Sequence, residues 1–251
     1  MPARASATPL RLLAPGSVDI WLSATKSAAP DRLVTWLELM SEDERRRYDR
    51  YFAPKAQLQH LVARVLVRTV LCRYADVNPC EWRFDTNAYG RPSITTPVTG
   101  RDLRFNLSHT DGLVALAVAE GSDVGVDVET IDRDVDISAL APMVLASTEL
   151  HALGRAASEA KRELFFVFWT LKEAYIKARG MGLSLPLGGF AFDLSGAVPR
   201  ISFDLRLVDD DAGRWLFRRF APTPRHAMAI AAEGTRLNIN LHWIALDGTK
   251  D

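Results

Sequence analysis

Three stretches of this chain carry side chains whose types and spacing could do chemistry. In Gly125-Val126-Asp127-Val128-Glu129 the two-residue period of a β-strand sends Val126 and Val128 to one face and sets Asp127 and Glu129 together on the other. Neighbouring carboxylates repel, so such a face is either well solvated, as on an exposed edge strand, or shared by a cation. From Trp169 to Lys177, helical spacing stacks Trp169, Glu173 and Lys177 in one stripe, so that a carboxylate and an ammonium point the same way. An ordinary surface pair has the same spacing and contributes only about 0.3–0.5 kcal/mol. The third stretch, Phe105-Asn106-Leu107-Ser108-His109, reads as a strand running into a turn with a hydroxyl and an imidazole at its tip, suited to hydrogen bonding an anion. A serine nucleophile with its base is the competing reading, but adjacent residues orient poorly for that role and no Gly-x-Ser-x-Gly elbow is present. A turn histidine satisfied by backbone is the plainest alternative.

The elements that must position these residues follow from periodicity and turn chemistry. Asp31 can cap a short helix carrying Leu33, Trp36, Leu37 and Met40, and Ser41 with Glu44 reads as a capping box opening a charged helix through Arg45, Arg46, Arg47 and Arg50. Lys55 to Tyr74 places Leu58, Leu61, Val62, Val65, Leu66 and Val70 at helical spacing, a core helix. Tyr89-Gly90-Arg91-Pro92 is turn chemistry, followed by strand-like runs at Leu103–Asn106, Leu113–Ala119 and Val124–Glu129. The longest helical pattern runs from Glu159 to Arg179 and ends at Gly180 and Gly182. Beyond it, Phe190–Leu194, Arg200–Leu207, Trp215–Phe220, Met228–Ala232 and Leu237–Ile244 read as strands. Strands and helices in both halves make the class α+β. No internal sequence repeat is visible, and residues 1–30, rich in Ala, Ser and Pro, are expected to fray over their first dozen.

Bulk properties narrow the partners. The 251 residues, 48% of them hydrophobic, suffice for one large domain or two of about 120 residues. Thirty-one basic residues balance 31 acidic ones, so no global field draws the protein to nucleic acid or an anionic membrane, and any basic site is local. Cys72 and Cys80 have neither metal-ligand nor disulfide-framework spacing. Pro9, Pro15, Gly16 and Asp19 interrupt the apolar N-terminal stretch too often for a signal peptide, and no apolar run reaches membrane-spanning length. A cytoplasmic protein is expected.

Together, in their order and spacing along the chain, the Ser-His pair, the strand Asp-x-Glu and the helical Lys-Glu-x-x-x-Lys resemble the signatures of the Sfp-type 4'-phosphopantetheinyl transferases. The resemblance runs from about Ser41 to Ala232 and is densest over FWTLKEAYIKARGMGLSLPL, Phe168 to Leu187, which is similar to the family's Trp-x-x-Lys-Glu-(Ala/Ser)-x-x-Lys motif with its Gly-x-Gly-Leu tail. Gly90-Arg91-Pro92 and Phe105–His109 match its upstream motifs.

The resemblance implies two similar, pseudo-twofold-related halves, each a small antiparallel sheet packed with helices, with coenzyme A in the cleft between them. The dividing line would fall near Gly121, giving halves 1–121 and 122–251. It implies that Asp127, Glu129 and Glu173 hold Mg²⁺ against the coenzyme A pyrophosphate, chemistry that suits an ion demanding hard oxygen ligands. The implied reaction is attack by a serine of an apo acyl or peptidyl carrier protein on the β-phosphate, releasing adenosine 3',5'-bisphosphate. Glu173, or a water it orients, becomes the candidate base, and Lys177 meets phosphate charge. Ser108 and His109 become phosphate holders, with Arg91, Lys172, Arg47 and Arg64 as further coenzyme A contacts. The family's basic spacing for the 3'-phosphate is met only loosely by Arg45, Arg46 and Arg47, and Gln59 or His60 stands where a base is often found. The carrier is expected near the Met181–Leu187 loop, and a monomer suffices. Two other functions fit the same residues: a carboxylate-metal phosphohydrolase on a nucleotide, and a non-catalytic coenzyme A or carrier-binding module.

Overall fold

The computed structural model describes residues 9–25 and 32–246. Two sheets pack face to face, and each carries a long helix on its outer side. The first sheet has the order β11-β1-β5-β4, formed by β1 (Ser17–Ala24), β4 (Leu103–Thr110), β5 (Leu113–Glu120) and β11 (Asn238–Trp243). The second has the order β6-β10-β9, from β6 (Val124–Thr130), β9 (Trp215–Thr223) and β10 (His226–Glu233). Hairpins β2–β3 (Arg83–Thr86, Pro92–Thr96) and β7–β8 (Phe190–Asp193, Arg200–Phe203) complete the strands. Six α-helices accompany them among the described residues: α1 (Leu33–Leu39), α2 (Glu42–Asp49), α3 (Pro54–Leu71), α4 (Ile137–Val144), α5 (Ser147–Arg155) and α6 (Ser158–Arg179).

Strand alternation sorts the core into three layers. Val18, Ile20, Leu22, Ala115, Ala117, Val126, Val128, Met228 and Ile230 fill the space between the sheets. Trp21, Leu116 and Val118 face the other way, onto Leu61, Val65, Leu66 and Val70 of α3. Ala229, Ala231 and Phe217 meet Phe165, Phe168, Leu171 and Tyr175 of α6. β5 and β10, central and covered on both faces, are buried from end to end except for their last residue. The expected α+β class with small antiparallel sheets is what forms.

Although the sequence shows no repeat, the two sheets share a design. β5 and β10 each end in a glutamate followed by glycine, and each glutamate pairs with an arginine 19 residues upstream: Arg101–Glu120 at 2.5 Å and Arg214–Glu233 at 2.8 Å. One strand breaks the pattern. β11 crosses back to lie parallel to β1, so the end of the chain completes the first sheet.

Most expected elements form. The Ser41 capping box is present, with Glu44 N–H on Ser41 Oγ at 3.3 Å and Ser41 N–H on Glu44 Oε2 at 2.9 Å. Gly180 ends α6 with φ 62°, a left-handed turn costing glycine little. Asp31 lies outside the described residues. The strand expected to reach Leu207 stops at Phe203, because the Asp204 carbonyl accepts N–H bonds from Leu207 and Val208 and closes a turn. α4 and α5 have no strong signal in the sequence. Each spans only about two turns, and Pro142 sits inside α4, which Asp136 caps. No helix among the described residues is long and apolar enough to cross a membrane.

One close approach fixes the site. A Cβ on Gly125 of β6 would lie 2.0 Å from the Ala174 carbonyl oxygen and 2.5 Å from the Ala178 nitrogen, both backbone atoms of α6. Glycine there lets α6 settle onto β6 deeply enough for its side chains to meet those of the strand. Gly125→Ala is expected to lower the melting temperature by about 6–12 °C, the equivalent of roughly 3 kcal/mol of overpacking. Gly154→Ala on α5, where an added Cβ meets nothing within 4 Å, should leave it unchanged or raise it. Equal melting temperatures for the two variants would refute the close-packing role.

Candidate active site

The site grows from the seam where the two sheets meet. β4 and β6 run side by side, and along the edge that faces β4, away from its ladder with β10, β6 finds its hydrogen-bond acceptors in side chains. Val126 N–H bonds Asn106 Oδ1 at 2.9 Å, Val128 N–H bonds Ser108 Oγ at 3.3 Å and Thr130 N–H bonds Thr110 Oγ1 at 3.0 Å. The same hydroxyls donate onward, Ser108 to Asp127 Oδ1 at 2.9 Å and Thr110 to Glu129 Oε2 at 3.2 Å. Thus β4 both satisfies the open edge of β6 and aims its two carboxylates. Asn106 and Thr110 do work that motif reading missed, although the alternation Asn106, Ser108, Thr110 on one strand face was there to be seen. Ser108 and His109 lie within β4, not at a turn tip, because both pair with β5, opposite Ala115 and Val114.

Asp127 and Glu129 point toward α6, opposite the buried Val126 and Val128. There Ser108, Glu173, Lys177 and Trp169 join them along a cavity of about 430 Å³, whose other wall holds His109, Arg47 and Arg64. The Lys177 ammonium lies 2.6 Å from Asp127 Oδ1 and 2.9 Å from Ser108 Oγ. Asp127 is 3% exposed, and its Oδ2 is buried with no hydrogen-bond partner. Burial, and after it the charge of Asp127, raises both Glu129 and Glu173 above the ordinary carboxylate value. Three acids crowd one wall with a single ammonium among them, and Arg133 reaches Glu129 at 3.4 Å from outside. That excess negative charge and the orphaned Asp127 oxygen fit a hard divalent cation. Among the described residues, however, no three acidic, histidine or cysteine side chains close around a common point.

The opposite wall is cationic. Arg64 Nε is buried without a hydrogen-bond partner, and Glu44 Oε1 is 3.9 Å from the guanidinium, too far to saturate it. Burial, then the Lys177 and Arg64 charges, lower His109, favouring the neutral ring. His60, beneath this wall with Nε2 3.3 Å from the Glu44 carbonyl, is lowered to about 4 by burial and then by Arg64, with Arg47 acting the same way and Glu44 opposing. An unfolded histidine titrates near about 6.5, so the unfolded chain binds the proton more readily. The stabilisation is complete above about pH 6.5 and is lost as pH falls toward about 4. Melting temperature followed across that window should fall less steeply for His60→Gln than for wild type, and parallel curves would remove His60 as the cause.

Two expected contacts are corrected. Lys172 is 1% exposed and points away from the cavity, to Glu149 at 2.9 Å and to the carbonyls of Leu187 and Phe190 at 2.8 and 2.7 Å. One residue before Glu173 on α6, it is turned about 100° round the helix from it and so cannot share the face of Glu173 and Lys177. Arg91 is spent on the Ala178 carbonyl at 2.7 Å and Asp123 at 2.8 Å, clamping the β2–β3 turn to the end of α6. Of the three consecutive arginines, Arg45 bonds the Met40 carbonyl and Arg46 pairs with Glu42 and Asp43, which leaves Arg47 for the cavity.

By fold and site alone, this is an α+β protein whose cavity sets acids against arginines. Comparison with known proteins narrows the class. Residues 123–231 match the 4'-phosphopantetheinyl transferase superfamily, and residues 26–121 match the N-terminal family of 4'-phosphopantetheinyl transferases. The 4'-phosphopantetheinyl transferase HetI of Nostoc sp. strain PCC 7120 is 32% identical over 145 residues, which cover 58% of this chain and 61% of that protein. The 4'-phosphopantetheinyl transferase Sfp of Bacillus subtilis strain 168 is 26% identical over 197 residues, 78% of this chain and 84% of that one. Holo-[acyl-carrier-protein] synthase of Thermotoga maritima aligns over 45% of this chain and 64% of its own at 24% identity with a TM-score of 0.37, a match too partial to bear on the fold. The chain belongs to the Sfp-type 4'-phosphopantetheinyl transferases, a family of enzymes.

Proposed function

We propose that the protein transfers the 4'-phosphopantetheine group of coenzyme A to a serine of an apo acyl or peptidyl carrier protein, with Mg²⁺, releasing adenosine 3',5'-bisphosphate. The observation that carries this reading is the single cavity with Asp127, Glu129 and Glu173 on one wall, the Lys177 ammonium among them, and Arg47, Arg64 and His109 on the other. A pyrophosphate between them finds cations for its own charge and, through a shared divalent ion, a use for the acids. Asp127, Glu129 and Glu173 would hold that ion, which when bound supplies positive charge beside the pyrophosphate. Arg64, with its unpartnered Nε, and Arg47 bind phosphate oxygens, His109 donates one ring N–H, and Lys177 meets the phosphates during transfer. Glu173 accepts the serine proton directly or through a water, and its raised basicity suits that task. Both walls come from one chain, which supports a monomer, and a cytoplasmic location is part of the same proposal. The halves are proposed as 1–121 and 122–251, with β11 laid across onto the first sheet.

An apo carrier protein incubated with this protein, coenzyme A and Mg²⁺ is expected to gain the mass of one phosphopantetheine, and EDTA should abolish the gain. Coenzyme A cleaved without a carrier would favour the phosphohydrolase, and coenzyme A bound but unchanged would favour a binding module. Undiminished transfer after thorough metal removal would end the magnesium reading.

A further inference from the structure

We infer that in the metal-free protein the Lys177 ammonium holds the place of a divalent cation on Asp127, and that arrival of one is coupled to departure of the other. This rests on the proposed metal role of Asp127, Glu129 and Glu173. The geometry is specific. Asp127 Oδ1 takes Lys177 Nζ at 2.6 Å and the Ser108 hydroxyl at 2.9 Å, and Nζ itself touches that hydroxyl at 2.9 Å. The carboxylate is nearly sealed, with a side-chain exposure of 5%, whereas Lys177 at 27% keeps a path to solvent along the cavity. Asp127 Oδ2 is left with nothing. An ammonium and a divalent ion cannot share Oδ1 without full cation–cation repulsion at contact distance.

The arrangement explains why three acids line one wall without closing around a point. The Lys177 tether, projecting from α6 one turn beyond Glu173, neutralises the most buried acid of the set. Two consequences follow. The metal-free protein avoids the repulsion of an empty carboxylate cluster, and its affinity for metal alone is weakened by the competing ammonium. A phosphate anion in the cavity gives Lys177 a new partner, so anion and metal strengthen each other's binding by the same factor.

The test uses the full chain without coenzyme A and Mn²⁺ as the probe, with free metal read by electron paramagnetic resonance. Lys177→Met should bind Mn²⁺ at least about tenfold more tightly than wild type, as expected for removing a unit charge beside the ligand. Lys177→Arg, which keeps a cation, should stay near the wild-type value. A second measurement needs no variant: Mg²⁺ should raise acylation of Lys177 by an amine-reactive ester several-fold relative to the other lysines, quantified by peptide mass spectrometry. Equal Mn²⁺ affinity for wild type and Lys177→Met, or acylation unchanged by Mg²⁺ while Mn²⁺ binds, overturns the place-holder and leaves the metal reading intact. Absence of Mn²⁺ binding to all three proteins overturns both.

Discussion

Glu173→Gln is expected to lower the rate of carrier modification by about 10²–10⁴-fold, the usual contribution of a general base, while coenzyme A still binds. Glutamine keeps the shape and one carbonyl oxygen but cannot accept the serine proton, and it withdraws one negative charge from the acidic wall. The nucleotide retains Arg47, Arg64 and His109 on the opposite wall, so ground-state affinity changes little. Lys177→Ala should behave differently. It removes a phosphate contact present both before and during reaction, so coenzyme A affinity and turnover should fall together. Calorimetry with coenzyme A and mass spectrometry of the carrier, run on both variants, separate the two patterns. Turnover of Glu173→Gln near the wild-type rate would show that Glu173 is neither base nor essential ligand.

The second large effect concerns stability. Lys172→Met is expected to destabilise the fold by about 3–5 kcal/mol, the penalty for leaving one partner of a buried ion pair charged and alone. Glu149, at 1% exposure, accepts the Ala146 and Phe192 N–H groups as well as Lys172, and the Lys172 ammonium adds the Leu187 and Phe190 carbonyls and the face of the Phe190 ring. This one cluster ties α5, α6, the loop after α6 and β7 together. Burial pushes Lys172 down and Glu149 up, and each opposes the other's shift. The double variant Lys172→Met, Glu149→Leu should recover part of the loss, since an apolar pair of similar volume can replace a buried ion pair, while the Ala146 and Phe192 N–H groups still lose their acceptor. Denaturant midpoints decide the point. If Lys172→Met unfolds like wild type but binds coenzyme A poorly, the lysine is a ligand after all.

The contrast between the two lysines shows how far a motif carries. Lys172 and Lys177 stand in one continuous stretch of sequence, and both read as basic residues beside a phosphate. A helix turns them to different faces, so Lys172 enters the core and Lys177 reaches the cavity. Arg91 makes the same point. Its place after Gly90 suggested a ligand, yet its guanidinium meets a carbonyl and a carboxylate brought near only by the packing of α6.

What the sequence determined by itself is local and periodic. Alternation put Asp127 and Glu129 on one strand face, helical spacing put Trp169, Glu173 and Lys177 on one stripe, and Ser41 with Glu44 marked a helix start, because each depends on backbone geometry over a few residues. The spacing of α3 and α6 and their apolar stripes likewise needed no partner to be recognised. Tertiary structure alone decided which of these faces meet. The return of β11 to β1 depends on an edge left open more than 200 residues earlier in the chain. The use of Asn106, Ser108 and Thr110 as substitute acceptors for β6 depends on two strands adjacent without a ladder. The depth of α6 on β6 depends on one absent Cβ at Gly125. Long-range contacts of this kind are set by what is left unsatisfied after local structure forms, a buried N–H without an acceptor or a carboxylate without a cation, and no short window of sequence contains both partners.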